Sequence, residues 1–120
     1  MPSPQLRTLL FPAAIGLLAL SASAQVSAVL DKEGVPHCLS TAGNLFTVFL
    51  GRTEPVRNFA DAKAQSTDAY AAFFHAMLDG GVALAPGAYE IMFVSLAHSE
   101  ADLERCVTVA RHAAEVAKRS

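Results

Sequence analysis

The chain has 120 residues, 52% of them hydrophobic, and a formal net charge of −2, enough apolar mass for one compact domain around a single core and too much for a disordered tail. Nine basic and eleven acidic residues are spread along it with no cationic block or stripe, so the phosphate-neutralising charge that nucleic-acid binding requires is missing. Charged residues make up only 17% of the chain, against roughly 25% in soluble domains, which leaves apolar surface to face something else.

The N-terminus holds Arg7, an apolar run from Leu9 to Leu20, and then Ala22, Ser23 and Ala24 before Gln25. Two readings fit residues 1–24. Basic, hydrophobic and small-x-small segments in this order make a signal-peptide pattern, with cleavage after Ala24 and export. The same stretch also reads as the start of a helix that runs on through Val26, Val29 and Leu30, with Pro12 near its beginning and Gly34 stopping it. The apolar run falls short of the about 20 residues of an ordinary membrane span, so no span is expected.

Val35 to Ser40 reads as a short strand after the Gly34 stop, and Ala42 to Asn44 as a turn. Leu45 to Leu50 (LFTVFL) is rich in β-branched and aromatic residues, which predicts a strand covered on both faces and paired antiparallel with the first. Gly51 to Asp61 is polar, holds Pro55 and reads as a surface loop. From Thr67 the period turns helical, with Tyr70, Phe73, Phe74, Met77 and Leu78 on one buried face and Gly80 and Gly81 ending it. Burying each large side chain on that face contributes about 1.5–3 kcal/mol, which makes it the anchor of the domain. Tyr89 to Val94 is the next strand. Ser99, with Asp102 three residues on, forms a capping-box pattern that opens the last helix, whose apolar stripe is Leu103, Cys106, Val107, Ala110 and Ala114. This order predicts an α+β fold, a small antiparallel sheet with helices packed on one face.

Few residues are arranged for chemistry. Cys38 and Cys106 lie far apart, and neither has a second thiol or histidine at metal-ligand spacing, His37 beside Cys38 being a single pair. Both read as core or surface thiols, and a disulfide between them requires an oxidising compartment. His75 lies one position off its buried stripe, and His98 precedes the capping Ser99; neither has a carboxylate partner in the pattern, as general acid-base work requires. Ser95 and Ser99 read as strand end and cap rather than as nucleophiles. Lys32, Lys63 and Lys118 all sit in polar surroundings, where nothing lowers an ammonium pKa by desolvation. Gly80 and Gly81 precede an extended Val82, Ala83 and Leu84 and not a helix start, so they form a helix C-cap and no phosphate cradle.

Five stretches, GNLFTVF at Gly43 to Phe49, PVRNFADAKA at Pro55 to Ala64, FFHAML at Phe73 to Leu78, GVALAP at Gly81 to Pro86 and FVSLAHS at Phe93 to Ser99, occur in an order and spacing that resembles the C-terminal domain of glutamate-1-semialdehyde 2,1-aminomutases, class III aminotransferase-like enzymes. The resemblance covers roughly residues 25–115. It implies the small domain of a fold type I pyridoxal-phosphate enzyme over residues 25–120, in a family of isomerases that make 5-aminolevulinate for porphyrin synthesis. That chemistry needs a lysine amine, a carboxylate on the pyridinium nitrogen and backbone donors for the phosphate, and in the family the lysine lies far upstream of this domain. The expectation is a truncated or split aminomutase, inactive alone and cytoplasmic, binding no pyridoxal phosphate by itself, with a large cofactor-binding domain encoded separately. A homo-oligomer formed through an exposed apolar patch is expected as well. No catalytic, cofactor-binding or metal-binding residue is assigned. Glu90 is the candidate substrate-binding residue, because the resemblance places it toward the substrate end of the active site; on the residues alone it reads equally as a strand residue reaching the rim. Ile91 and Met92 stand where the family places small residues. The alternative to all of this is an exported α+β binding or structural module.

Overall fold

A computed structural model of the protein describes residues 20–120. The apolar run before Leu20, with Arg7 and Pro12, lies outside the described residues. Helix α1 is described over 20–33 and includes Ala22, Ser23 and Ala24 in its regular turns. Ala22 and Ser23 are buried, and the Ser23 hydroxyl donates to the Leu20 carbonyl at 3.0 Å, so the buried oxygen is satisfied within the helix. Gly34, at φ +73, ends α1: its N–H donates to Asp31 O at 3.0 Å and the Val35 N–H to Leu30 O at 2.9 Å. This is the paired closure of a left-handed C-cap, with Leu30 and Val35 as its apolar contact.

Because Val35 is used in that closure, strand β1 starts two residues later than its composition predicts, at His37–Ala42. It pairs antiparallel with β2, Leu45–Leu50, in a register from His37↔Leu50 to Ala42↔Leu45. The two-residue turn takes Gly43 at φ +61, a position that favours glycine. β2 is buried from Thr47 onward, while Leu45 at its start is exposed, so cover on both faces holds for the second half only.

The end of the segment 51–61, expected as loop throughout, instead begins a short helix, α2, at Phe59–Lys63. Its start is made by polar residues that read as loop: Asn58 Oδ1 accepts the Asp61 N–H at 2.9 Å, and Asp61 Oδ2 accepts the Arg57 N–H at 2.9 Å. The Arg52 guanidinium adds an ion pair to Asp61 at 3.4 Å. Helix α3 follows at Thr67–Asp79, capped by Ser66. Its buried face is Ala69, Tyr70, Phe73, Ala76 and Met77. Leu78, expected on that face, is 46% exposed, because one residue beyond Met77 turns the side chain by about 100° toward solvent. Gly80 and Gly81 close α3 as expected, with Gly81 N–H to Leu78 O and Val82 N–H to Met77 O, both at 2.9 Å.

The strand expected over Tyr89 to Val94 shrinks to β3, Met92–Phe93, paired antiparallel with Leu45 and Phe46 at the start of β2. The sheet order is β1-β2-β3. Helix α4, Glu100–Lys118, opens with the capping box: Ser99 Oγ accepts the Asp102 N–H at 3.1 Å and Asp102 Oδ2 the Ser99 N–H at 2.8 Å. Its inner face is built of small residues, with Ala110, Ala113 and Ala114 fully buried and Ala117 nearly so. α3 packs along this face, and Gly80 brings the end of α3 against Val109. Leu30, Val48, Leu50, Phe73 and Met77 complete a core shared by α1, β2, α3 and α4.

Candidate functional site

Between Gly81 and Val94 the chain forms almost no backbone ladder, yet four side chains from elsewhere in the fold hold it. The buried Tyr70 of α3 donates its hydroxyl to Ala85 O. Gln65, between α2 and α3, donates Nε2 to Ala88 O at 3.1 Å, and Thr47 of β2 donates Oγ1 to Glu90 O at 3.5 Å. Asn44 in the hairpin turn donates Nδ2 to Val94 O at 3.1 Å, while the Val94 N–H returns to Asn44 O at 3.2 Å. Side-chain donors thus replace the strand pairing that composition predicts, and the segment stays irregular but fixed. Asn44 and Thr47 lie in the GNLFTVF stretch, but nothing in that stretch marks them, or Gln65, as donors to this segment; the one local signal is that Thr47 interrupts an apolar strand.

This segment forms one wall of a groove of about 550 Å³ whose other walls come from α1, β2, α3 and α4. Phe46, Phe73, Met77, Met92 and Val107 are among its lining. Glu90, His98 and Cys106 are its polar members, and among the described residues no lysine or arginine lines it. Glu90 is exposed, consistent with a side chain at the rim. Its carboxylate folds back over Gly87, where an added Cβ would stand 2.7 Å from Glu90 Oε1, so the absence of a side chain at Gly87 permits this placement. Burial, and secondarily the charge of Glu90, pushes the Tyr70 phenol above its usual pKa. Burial, and then the charge of Asp102, pushes the Cys106 thiol up, which disfavours the thiolate and a nucleophilic role.

His98 is turned to the backbone, as its place before the cap predicts: Nδ1 accepts the Ser95 N–H at 3.0 Å. His75 is exposed and stacks edge-on against Phe74 at 5.2 Å between ring centroids. His37 pairs through Nε2 with the Ser27 hydroxyl at 2.7 Å and through Nδ1 with Val35 O at 2.9 Å, tying α1 to the start of β1. Cys38 and Cys106 are free thiols, and among the described residues no three histidine, cysteine or carboxylate side chains gather as a metal site.

One surface stands out. Tyr89, Ile91 and Phe93 alternate outward along the β3 segment, each 48–62% exposed, with Leu96 further on at 66%. Leu45 lies opposite Phe93 in the register, and the Phe59 ring meets Tyr89 at 5.7 Å between centroids. From Gly80 to Ser99 the only carboxylate or basic chain is Glu90, histidine aside, so this sheet edge lacks the charges that usually guard one. Among the described residues no helix is long and apolar enough to cross a membrane.

The fold is that of part of a transaminase: the chain superimposes on an ω-transaminase from Sphaerobacter thermophilus with a TM-score of 0.70 over 92% of this chain and 26% of that one, at 23% identity. No family model matches the chain. Over two thirds of its length the chain is homologous to glutamate-1-semialdehyde 2,1-aminomutases, being 51% identical over 80 residues to that of Cutibacterium acnes and 48% identical over 82 residues to that of Propionibacterium freudenreichii. It spans 18% of the length of these relatives. Such enzymes are pyridoxal-phosphate dependent, and the described residues do not fit that group. Lys32, Lys63 and Lys118 are all exposed and none lines the groove. The amides of Gly80 and Gly81 are already bonded to carbonyls of α3, so neither is free for a phosphate.

Proposed function

We propose that the chain is a truncated or split glutamate-1-semialdehyde 2,1-aminomutase. In this reading residues 25–120 are the C-terminal-like small domain, and the cofactor lysine resides on a separately encoded large domain in the cytoplasm. The chain alone has no turnover, and Glu90 faces the substrate end of the joint site. The observation that carries the reading is the pairing of about half identity to these aminomutases with an unguarded apolar edge from Tyr89 to Leu96 that a large domain would cover. Without such a partner the same edge drives self-association. Export with cleavage after Ala24 is less favoured, because it would remove Ala22 and Ser23, which are buried in this fold.

The test is reconstitution. The chain is purified alone and mixed with the remainder of the Cutibacterium acnes aminomutase, deleted for the matching region. Alone, it is expected to give no borohydride-trapped lysine adduct with pyridoxal phosphate and no 5-aminolevulinate, and to sediment with concentration-dependent mass. Mixed, it is expected to form a complex that Ile91→Lys with Phe93→Lys abolishes while the Tm of the chain stays unchanged. Conversion of the semialdehyde by the lone chain, or a monodisperse monomer indifferent to the large segment, overturns the reading.

A further inference from the structure

The side chains that join α1 to β1 form a set that the aminomutase reading does not use. His37 opens β1 with its ring almost wholly buried, 6% exposed. Its Nδ1 lies 2.9 Å from Val35 O, and a carbonyl oxygen only accepts, so the ring proton is fixed on Nδ1. Nε2 is left with its lone pair, and it faces the Ser27 hydroxyl at 2.7 Å, which therefore donates to it. The Asp31 carboxylate lies 3.9 Å from Nδ1, where it can stabilise positive charge arriving on the ring. Ser27 itself is only half-buried on α1, so a reagent meets the hydroxyl before the base behind it. A hydroxyl bonded to an imidazole in the accepting tautomer, the imidazole held by a third group, is the arrangement that activates a weak oxygen nucleophile. Neither residue lines the groove behind β3. Ser27 lies within the regular turns of α1, whose amides are taken up by the helical ladder. No oxyanion hole serves it there, so the arrangement supports a single covalent capture and no turnover.

We propose that Ser27 is a covalent modification site, its hydroxyl taking a phosphoryl or acyl group from a donor with a good leaving group while His37 acts as general base. With a fluorophosphate, the bond from Oγ to phosphorus forms as the bond from phosphorus to fluorine breaks. Fluoride leaves with the electron pair, and the Oγ proton passes to His37 Nε2 and from there to water. The same helix supplies a control: Ser21 is exposed, and its Oγ accepts from Gln25 Nε2 at 3.0 Å instead of donating to a base. The site is built by this chain alone, so it and the split-enzyme reading can fail independently.

The experiment treats the full chain with diisopropyl fluorophosphate at neutral pH, counts adducts by intact mass and places them by peptide mapping. The first adduct is expected on Ser27, forming about tenfold or more faster than any on Ser21, the lower end of what a positioned base supplies. Ser27→Ala is expected to remove that adduct and leave the slow ones. His37→Asn puts an amide nitrogen in the place of Nδ1, which keeps a donor for Val35 O, but offers nothing in the place of Nε2; it is expected to bring Ser27 down to the Ser21 rate, its fold checked by circular dichroism. If that variant does not fold, the ratio of Ser27 to Ser21 in the parent chain decides alone. Equal rates at the two serines, a first adduct on any other residue, or fast labelling of Ser27 that survives His37→Asn overturns the proposal.

Discussion

Gly80→Ala is expected to destabilise the domain through one contact, the crossing of α3 with α4. The glycine has φ −80, a conformation open to any residue, so the obstacle is purely steric: an added Cβ would stand 2.3 Å from Val109 Cγ1 and 3.0 Å from Cγ2. Overpacking of this kind costs about 1–3 kcal/mol. The reduced freedom of the unfolded chain offsets about 0.4–1 kcal/mol of it. Val109→Ala alone removes two half-buried methyls and is expected to cost about 1 kcal/mol. It also removes both clashing carbons, leaving Val109 Cβ at 3.3 Å as the nearest atom. The double variant should therefore lose little more than Val109→Ala by itself, a coupling of about 1–2 kcal/mol in a double-mutant cycle. Urea unfolding followed by far-ultraviolet circular dichroism reads all four corners of the cycle. Gly81→Ala serves as control: at φ +89 its difficulty is the left-handed backbone, worth about 1–2 kcal/mol, and Val109→Ala should not relieve it. Additivity of Gly80→Ala with Val109→Ala within about 0.5 kcal/mol would refute the steric argument.

Two further outcomes follow from groups whose titration the fold shifts. Asp102 accepts the Ser99 N–H, and its contacts with Ser99 hold its carboxyl below the usual range. A depressed carboxylate stabilises the fold above its unfolded pKa of about 3.9 and loses that contribution as pH falls through the folded value. Asp102→Asn should flatten the acid limb of a urea-midpoint series from pH 6 to pH 2 or lower, and an unchanged slope would sink this. Tyr70 is raised, by burial first and then by Glu90, so its stabilisation is complete below the unfolded phenol pKa of about 10 and declines as pH rises beyond it. Tyr70→Phe is expected to lose about 1–2 kcal/mol at neutral pH, from the Ala85 hydrogen bond, and to remove that alkaline decline; retention of the decline would point to another group.

The long elements were legible because their signals are local and redundant. α3 announces itself by period and double glycine, and α4 by the Ser99 and Asp102 box, so the structure returns both nearly as read. α2 was hidden because its five residues are too few for a period and its start is made by Asn58 and Asp61, which in isolation say loop. The Tyr89 to Val94 strand was over-read for the opposite reason. Its apolar alternation is real, but the outward residues face a surface rather than a sheet, and Tyr70, Gln65, Thr47 and Asn44 hold the chain in place of a ladder. The groove joins Phe46, Phe73, Met92 and Val107 from four elements, a juxtaposition no local pattern encodes. Glu90 at its rim was found through family likeness; the Gly87 that makes room for its carboxylate carried no signal of that kind.

The alanine face of α4 has a lopsided consequence for what the domain tolerates. Over its last two turns the helix meets its neighbours mostly through single methyl groups, at Ala110, Ala113, Ala114 and Ala117. A seam that thin has no slack for growth, so one extra carbon pries the elements apart, while shaving a methyl leaves a glycine inside the helix and costs about 1 kcal/mol in helix propensity alone. Around the outside, at Arg111, His112 and Glu115, the same helix is free to vary, and drift in this chain is channelled to one side of a single rod.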